Sequence, residues 1–209
     1  MQPFWEKDYK EDGYYAFGNP SMEVIEQTKK LTPNATVLDI GCGDGRHAIY
    51  LAKLGFNVEA IDVSESGIAK INRYKELHQL HNLKAYVQDA ATYPFEKKFD
   101  LIISHGVFHF MPRIDWVHLI HQMKKHTNEK GCNIITVFTD EVPIPDDLAP
   151  FVHGIFKDGE LQDLYKDWTI SLYRSYTFED EHENNIHHCH AANKLVAVKP
   201  FTGKGETNI

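Results

Sequence analysis

The stretch Ala35-Thr36-Val37-Leu38-Asp39-Ile40-Gly41-Cys42-Gly43-Asp44-Gly45 constrains what this chain can fold into more than any other. A short apolar, β-branched run breaks into three alternating glycines. Arg46 to Leu54 then carries apolar positions at helical spacing, with a stop at Gly55. Phe56 to Asp62 reads as a second strand. Strand, tight turn, helix and strand make the unit of a parallel sheet, because parallel neighbours need a long crossover between them.

The alternation runs on. A helix over Ser21 to Leu31, stopped by Pro33-Asn34, leads into the first strand. A helix from about Ser66 to His81, strands at Leu83 to Asp89 and Phe99 to Ser104, a helix over Ile114 to Lys125 and a strand at Gly131 to Phe138 follow. The expected fold is therefore α/β, a doubly wound, mostly parallel, Rossmann-like sheet with helices on both faces. Beyond Thr139 the pattern changes to a proline-rich loop, a helix opening at Gly159, and two strands, Thr169 to Tyr176 and Ala192 to Val198, expected as a late antiparallel hairpin. Residues 1–20 are expected as an arm or lid, 1–200 as one domain and 201–209 as a flexible tail.

A chain of 209 residues with 42% hydrophobic and 25% charged positions can bury one core. Its net charge of -8 argues against a nucleic-acid partner, which clustered Lys and Arg would signal. The charged start Glu6-Lys7-Asp8 lacks the apolar centre of a signal peptide, and no apolar run reaches membrane-spanning length. Cys42, Cys132 and Cys189 lie too far apart in sequence for a disulfide framework. A cytoplasmic protein acting on a small molecule is expected.

In an open parallel sheet, ligands sit at the carboxyl ends of the strands where the strand order reverses. The loops after Ile40, Ile61, Val87 and Ile103 should then converge on one crevice. Gly41 and Gly43 let the backbone approach a ligand closely. Asp62 follows the turn by about twenty residues, where a carboxylate can accept both hydroxyls of a ribose, and Asp89 ends the third strand in the same position. A nicotinamide dinucleotide also uses such features and is the first rival. The Gly-x-Gly-x-Gly pattern, without a Gly-x-x-Gly continuation, opposes it. So does Asp39, which would repel a pyrophosphate and attract the ammonium of an amino-acid ligand.

Val37 to Gly45 resembles the first motif of class I S-adenosylmethionine-dependent methyltransferases, and Asp62, Asp89-Ala90 and Phe99-Asp100-Leu101-Ile102-Ile103 resemble its later motifs. A narrower resemblance is to tellurite-resistance methyltransferases of the TehB type. It is carried by Gly41 to Arg46, Tyr50-Leu51-Ala52 and, above all, Phe156 to Trp168. The resemblance implies S-adenosylmethionine as cofactor, with Tyr9, Asp39, Gly41, Cys42, Gly43, Arg46, Asp62, Val63, Asp89, Ala90 and Ser104 binding it. It also implies a methyl acceptor such as a thiol or a chalcogen species like tellurite. In place of that family's late His-Arg pair this sequence has His182-Glu183, which removes a cation suited to an oxyanion.

The chain has thirteen histidines, and the late segment Glu179 to His190 concentrates several of them. His188 and His190 share one face if Ile186 begins a strand. Together with His105, just after the fourth strand, and His182 they are the expected catalytic candidates, because imidazole can take a proton from a nucleophile near neutrality. His182, His188 and His190 could instead hold a metal in a non-catalytic sensor, or be a solvated polar loop. No metal ligands are assigned. His109 flanks the same position after the fourth strand and could present a group to the methyl, but is read in preference as a helix-surface residue. Trp5, Tyr9 and Tyr15 are read as a lid over a sulfonium centre, and Cys42 as a small filler of the turn.

Overall fold

The computed structural model describes residues 5–10, 18–146, 148–182 and 186–202, with the side chains of 180–182, 186 and 187 left aside. Tyr14, Tyr15 and Phe17 of the expected lid, and the tail from 203 onward, lie outside the described residues.

One seven-stranded sheet carries the fold. Its strands are β1 (Thr36–Ile40), β2 (Asn57–Asp62), β3 (Leu83–Val87), β4 (Phe99–His105), β5 (Thr127–Phe138), β6 (Thr169–His182) and β7 (Ile186–Val198), in the order β3-β2-β1-β4-β5-β7-β6. The first five are mutually parallel, and β7 enters antiparallel between β5 and β6. The order reverses between β1 and β4, which places the switch point beside the glycine turn. Asp100 pins these two strands: its carboxylate accepts from the Thr36 backbone at 2.8 Å and from the Thr36 hydroxyl at 2.9 Å.

Among the described residues, α-helices accompany the sheet: α1 (Trp5–Lys10), α2 (Met22–Thr28), α3 (Arg46–Lys53), α4 (Glu65–His78), α5 (Arg113–Lys125) and α6 (Glu160–Leu164). Alternate residues of the strands feed two separate cores. Leu38, Ile40, Ile102 and Ile135 pack on one side with Trp116, Phe156 and Tyr165, while Val37, Leu101, Ile103 and Ile134 pack on the other with Ile49, Leu51 and Ile71. Period-2 strands with both faces buried are what helices on both sides require. α4 starts at a side-chain cap, the Ser64 hydroxyl accepting from the Gly67 backbone at 3.0 Å.

The distinctive block from Phe156 to Trp168 has a packing role. Phe156, Leu161 and Tyr165 are fully buried, and Phe156 stacks on Trp116 with ring centroids 4.0 Å apart. Gly159 takes φ 84° to start α6 and donates its backbone N–H to the Asn193 side chain at 3.1 Å. Asn193 also donates to Asp158 at 2.7 Å and accepts from the Tyr173 hydroxyl at 2.7 Å, which staples α6 to the late hairpin.

That hairpin is longer than its sequence suggested. β6 continues to His182 and β7 begins at Ile186, whereas β5 ends at Phe138 opposite Ala192. Residues 177–182 and 186–191 therefore pair with each other beyond the end of β5, save that Ala191 also accepts from the Thr139 N–H at 2.9 Å. Polar side chains there give no alternating core signal, which is why the expected strands stop short at Tyr176 and start late at Ala192.

Candidate active site

At the carboxyl ends of β1, β2, β3 and β4 lies a cavity of about 620 Å³, within the range of small-molecule sites. The four loops expected to converge do so: Gly41 to Asp44, Asp62-Val63, Gln88 to Ala91 and His105 to Val107 all line it. The projecting hairpin supplies Tyr176, Phe178, Cys189, His190 and Ala191 to its far wall.

Backbone contacts explain the glycines. The N–H groups of Gly41 and Cys42 both donate to the Ile61 carbonyl, at 2.8 and 3.0 Å, and fold the turn back onto β2. Gly43 has φ 55°, and a side chain on it would come within 2.5 Å of the Tyr9 hydroxyl. Tyr9 on α1 thus lies directly on the turn, buried. Its phenol is pushed far above the ordinary range by burial and then by Asp62 and Asp44.

Asp62 does local work before any ligand arrives. One oxygen accepts from the Gly43 N–H and the other from the Ser64 N–H, each at 2.8 Å. Burial nevertheless raises its carboxyl pKa. Each oxygen keeps a second lone pair for a hydroxyl. Asp89 caps a short turn over Ala90–Thr92 by accepting from the Ala91 N–H at 2.9 Å. Cys42 is buried, and burial, then Asp62 and Asp39, push its thiol up, so it fills space rather than attacks.

Three expected contacts are corrected. Asp39 is 1% exposed and stands behind the cavity wall, not in it. It accepts from the Ala48 N–H near the start of α3, and burial lifts its carboxyl to about 7 against the pull of the neighbouring Arg46. Ser104 sits fully inside the sheet with its hydroxyl away from the cavity, because β4 turns that residue toward the Ile102 side. His188 shares the face of His190 as expected, with ring centroids 5.8 Å apart, but it is buried beyond the cavity lining. His182 closes β6, and its side chain lies outside the described residues.

His105 lines the cavity and meets Arg46, whose guanidinium donates to its Nδ1 at 2.5 Å. Arginine has no acceptor atom, so the neutral imidazole carries its proton on Nε2 and its only lone pair is engaged. His105 is thereby a donor into the cavity, not the proton acceptor expected of it. Burial, and next Arg46, hold it neutral.

His47 was not singled out from sequence, and His109 was read in favour of the surface. His47, on α3, accepts from the Ser21 N–H at 3.3 Å, and burial pushes it down to about 3. His109 is 4% exposed on a turn over Phe108–Phe110, stacks on Phe138 at 4.2 Å and lines the cavity, so it is not a surface residue. Burial brings it too to about 3. The signal for His109 was its place three residues after Gly106, which follows the end of β4. Among the described residues, no three His, Cys, Asp or Glu side chains group as metal ligands would.

The comparisons with known proteins agree with this geometry. The family model described as tellurite resistance protein TehB matches residues 4–197. The probable S-adenosyl-L-methionine-dependent methyltransferase TehB of Haemophilus influenzae is 36% identical over 170 residues, covering 78% of this chain and 57% of that protein. The crystal structure of that organism's TehB superposes with a TM-score of 0.73 at 30% identity, over 94% of this chain and 66% of the other. A 2-heptyl-1-hydroxyquinolin-4(1H)-one methyltransferase of Mycobacteroides abscessus is 26% identical over 75% of this chain and 68% of its own length. The chain spans a little over half the length of the curated TehB relatives it matches. With the glycine turn, the acidic ends of β2 and β3 and the distinctive block around α6 all in place, this chain belongs to the family of the tellurite resistance protein TehB.

Proposed function

We propose that this protein transfers a methyl group from S-adenosylmethionine to a small-molecule acceptor, a thiol or soft chalcogen compound in the first instance. The observation that carries this reading is the charge of the cavity. Among the described residues four carboxylates, Asp44, Asp62, Asp89 and Asp115, line it against one guanidinium, Arg46, and with Asp44 paired to Lys70 at 2.9 Å the balance stays negative. Such a lining suits a sulfonium cation and disfavours the pyrophosphate of a nicotinamide dinucleotide.

The residues fit the cofactor. Gly41, Cys42 and Gly43 let its amino-acid end approach the turn, with Arg46 beside it. Asp62 and Val63 take the ribose, and Asp89 with Ala90 borders the adenine. Tyr9 closes over the turn and, with Trp5, excludes water from the cationic centre. Bound there, the cofactor supplies an electrophilic methyl group. The acceptor's lone pair takes the methyl carbon, the electron pair of the broken carbon–sulfur bond stays on sulfur, and the acceptor's proton leaves to water. Alignment in a desolvated site supplies most of the acceleration in such a displacement. Arg46 holds His105 as an Nε2–H donor toward the reacting centre, and His190, stacked between Phe138 and Phe178 at 5.1 and 5.3 Å, shapes the acceptor wall.

The quinolone-acting relative is consistent with a small-molecule acceptor. Among the described residues no helix is long and apolar enough to cross a membrane. Cys42, Cys132 and Cys189 are unpaired, which suits the reducing cytoplasm in which we place the enzyme. The test is production of S-adenosylhomocysteine from S-adenosylmethionine on adding a thiol. Dependence of that product on the thiol supports the reading, and a protein that binds the cofactor yet turns over no acceptor contradicts it.

A further inference from the structure

The overhanging part of the β6–β7 hairpin forms the far wall of the cavity, so whatever fixes its angle fixes that wall. The last rung on which β5, β7 and β6 lie side by side joins Phe138, Ala192 and Tyr176. Two residues further along β7 stands Lys194, opposite Thr136 on β5 and Arg174 on β6. Directly opposed residues share a sheet face, as do residues two apart along a strand. Lys194 and Tyr176 therefore lie on the face of Val196, the side that packs with Ile49 and Leu51 of α3. The Lys194 side chain is 16% exposed, and its ammonium stands 5.6 Å from the centre of the Tyr176 ring, within cation–π range.

The counter-charge comes from another element. Glu23 on α2, its side chain 12% exposed, accepts from the Lys194 Nζ at 3.1 Å. Against burial, which raises it, hydrogen bonds from its own backbone and from Lys194 hold the Glu23 carboxyl below its ordinary range, so the pair is ionised at neutral pH. Next to it, Val24 is fully buried in the same core as Ile49 and Leu51, and the Ser21 N–H meets His47 of α3 at 3.3 Å. α2 is thus anchored on the helix whose Arg46 engages His105, and it reaches across to the root of the hairpin. Ion pairs shielded from water are screened little by salt. Losing one partner leaves the other charge buried alone, a large disturbance at a single point. Beyond the root, the hairpin leans on the body through the Thr139 N–H to Ala191 and through Phe178 and His190 on Phe138. Tyr176 lines the cavity, whereas Glu23 and Lys194 stand behind it.

Resting on the methyl-transfer reading for what this wall serves, we propose that Glu23 and Lys194 are positioning residues. Their ion pair, acting through the Tyr176 ring at the root of the hairpin, sets the stance of the wall against which the acceptor binds.

The experiment uses the whole protein with three substitutions. Lys194→Met keeps the stem and removes the ammonium, Glu23→Gln keeps the shape and removes the charge, and Lys194→Arg keeps a cation within reach of Glu23. Amide hydrogen exchange by mass spectrometry is measured beside steady-state methylation of phenylmethanethiol. In Lys194→Met, exchange in peptides covering 177–182 and 186–191 is expected to quicken at least about fivefold, while β1 and β4 stay within about twofold. KM for phenylmethanethiol is expected to rise about fivefold or more, with kcat and S-adenosylhomocysteine affinity each within about twofold, the pattern of a lost binding surface. Glu23→Gln should move both readouts the same way, and Lys194→Arg should return them to within about twofold of wild type. Should Lys194→Met fail to fold, Glu23→Gln carries the test. Unchanged exchange in the hairpin overturns the proposal. So does exchange that quickens equally in β1 and β4 with KM unchanged, the signature of lost stability alone. A wild-type protein that binds S-adenosylhomocysteine but does not methylate the thiol counts against the thiol as acceptor, and the hairpin exchange then decides the proposal by itself. Failure of S-adenosylhomocysteine to bind would instead remove the methyl-transfer reading beneath it.

Discussion

Asp62 shows how one side chain serves fold and ligand at once. Its carboxylate holds the Gly43 and Ser64 N–H groups at 2.8 Å, so the turn and the start of α4 are set before a ribose arrives. Asp62→Ala should weaken S-adenosylhomocysteine binding roughly ten- to a hundredfold by calorimetry, the scale of lost charge-assisted hydrogen bonds. An unchanged affinity would dismiss the ribose assignment. Asp39 makes a different expectation. Its carboxyl is raised from 3.8 to about 7, so between those values the folded protein holds a proton the unfolded chain has lost. Its contribution to stability is full at low pH and declines as pH rises through that window. Asp39→Asn should flatten the difference in unfolding free energy between about pH 4 and pH 7 relative to wild type. Parallel curves for the two proteins would show that burial does not raise this carboxyl. Residue identity made Asp62 legible from its strand-end position. It misplaced Asp39, because a sequence cannot tell a carboxylate facing a ligand from one capping the helix behind it.

Elements were read well where periodicity was strong and poorly where chemistry replaced it. The β1 turn, α3 and β2 came directly from apolar spacing and glycines, since both faces of the sheet are buried. The overhanging part of the β6–β7 hairpin did not, because its residues answer to the cavity and to solvent rather than to a core. The block around α6 carried a family resemblance strong enough to suggest chemistry, yet it packs and staples. Asn193, fully buried, bonds Asp158, Gly159 and Tyr173. Asn193→Ala should therefore cost about 2–4 kcal/mol of stability in a denaturant melt while leaving S-adenosylhomocysteine affinity of the folded protein nearly unchanged. A loss of affinity without a loss of stability would give that block a direct part in the site. α1 makes the opposite case. Tyr9 covers Gly43 and lines the cavity, so Tyr9→Ala should speed S-adenosylhomocysteine dissociation about tenfold in stopped-flow displacement. An unchanged dissociation rate would make α1 packing alone.

At the scale of the molecule, the switch point between β1 and β4 and the acidic lining form one side of the cavity, and the end of β5 with the late hairpin forms the other. The first half was legible in the sequence because glycines and strand-end aspartates follow the sheet. The second half comes from residues far apart in the chain, such as His109, Thr136 and Phe178, that only the completed sheet and its hairpin bring together. The central claim is that the cavity is built for a sulfonium cofactor. Isothermal titration calorimetry of the purified protein with S-adenosylhomocysteine, with NAD in parallel, tests it most directly. Saturable binding of S-adenosylhomocysteine and none of NAD is expected, whereas NAD binding in preference, or no binding of S-adenosylhomocysteine, would contradict it.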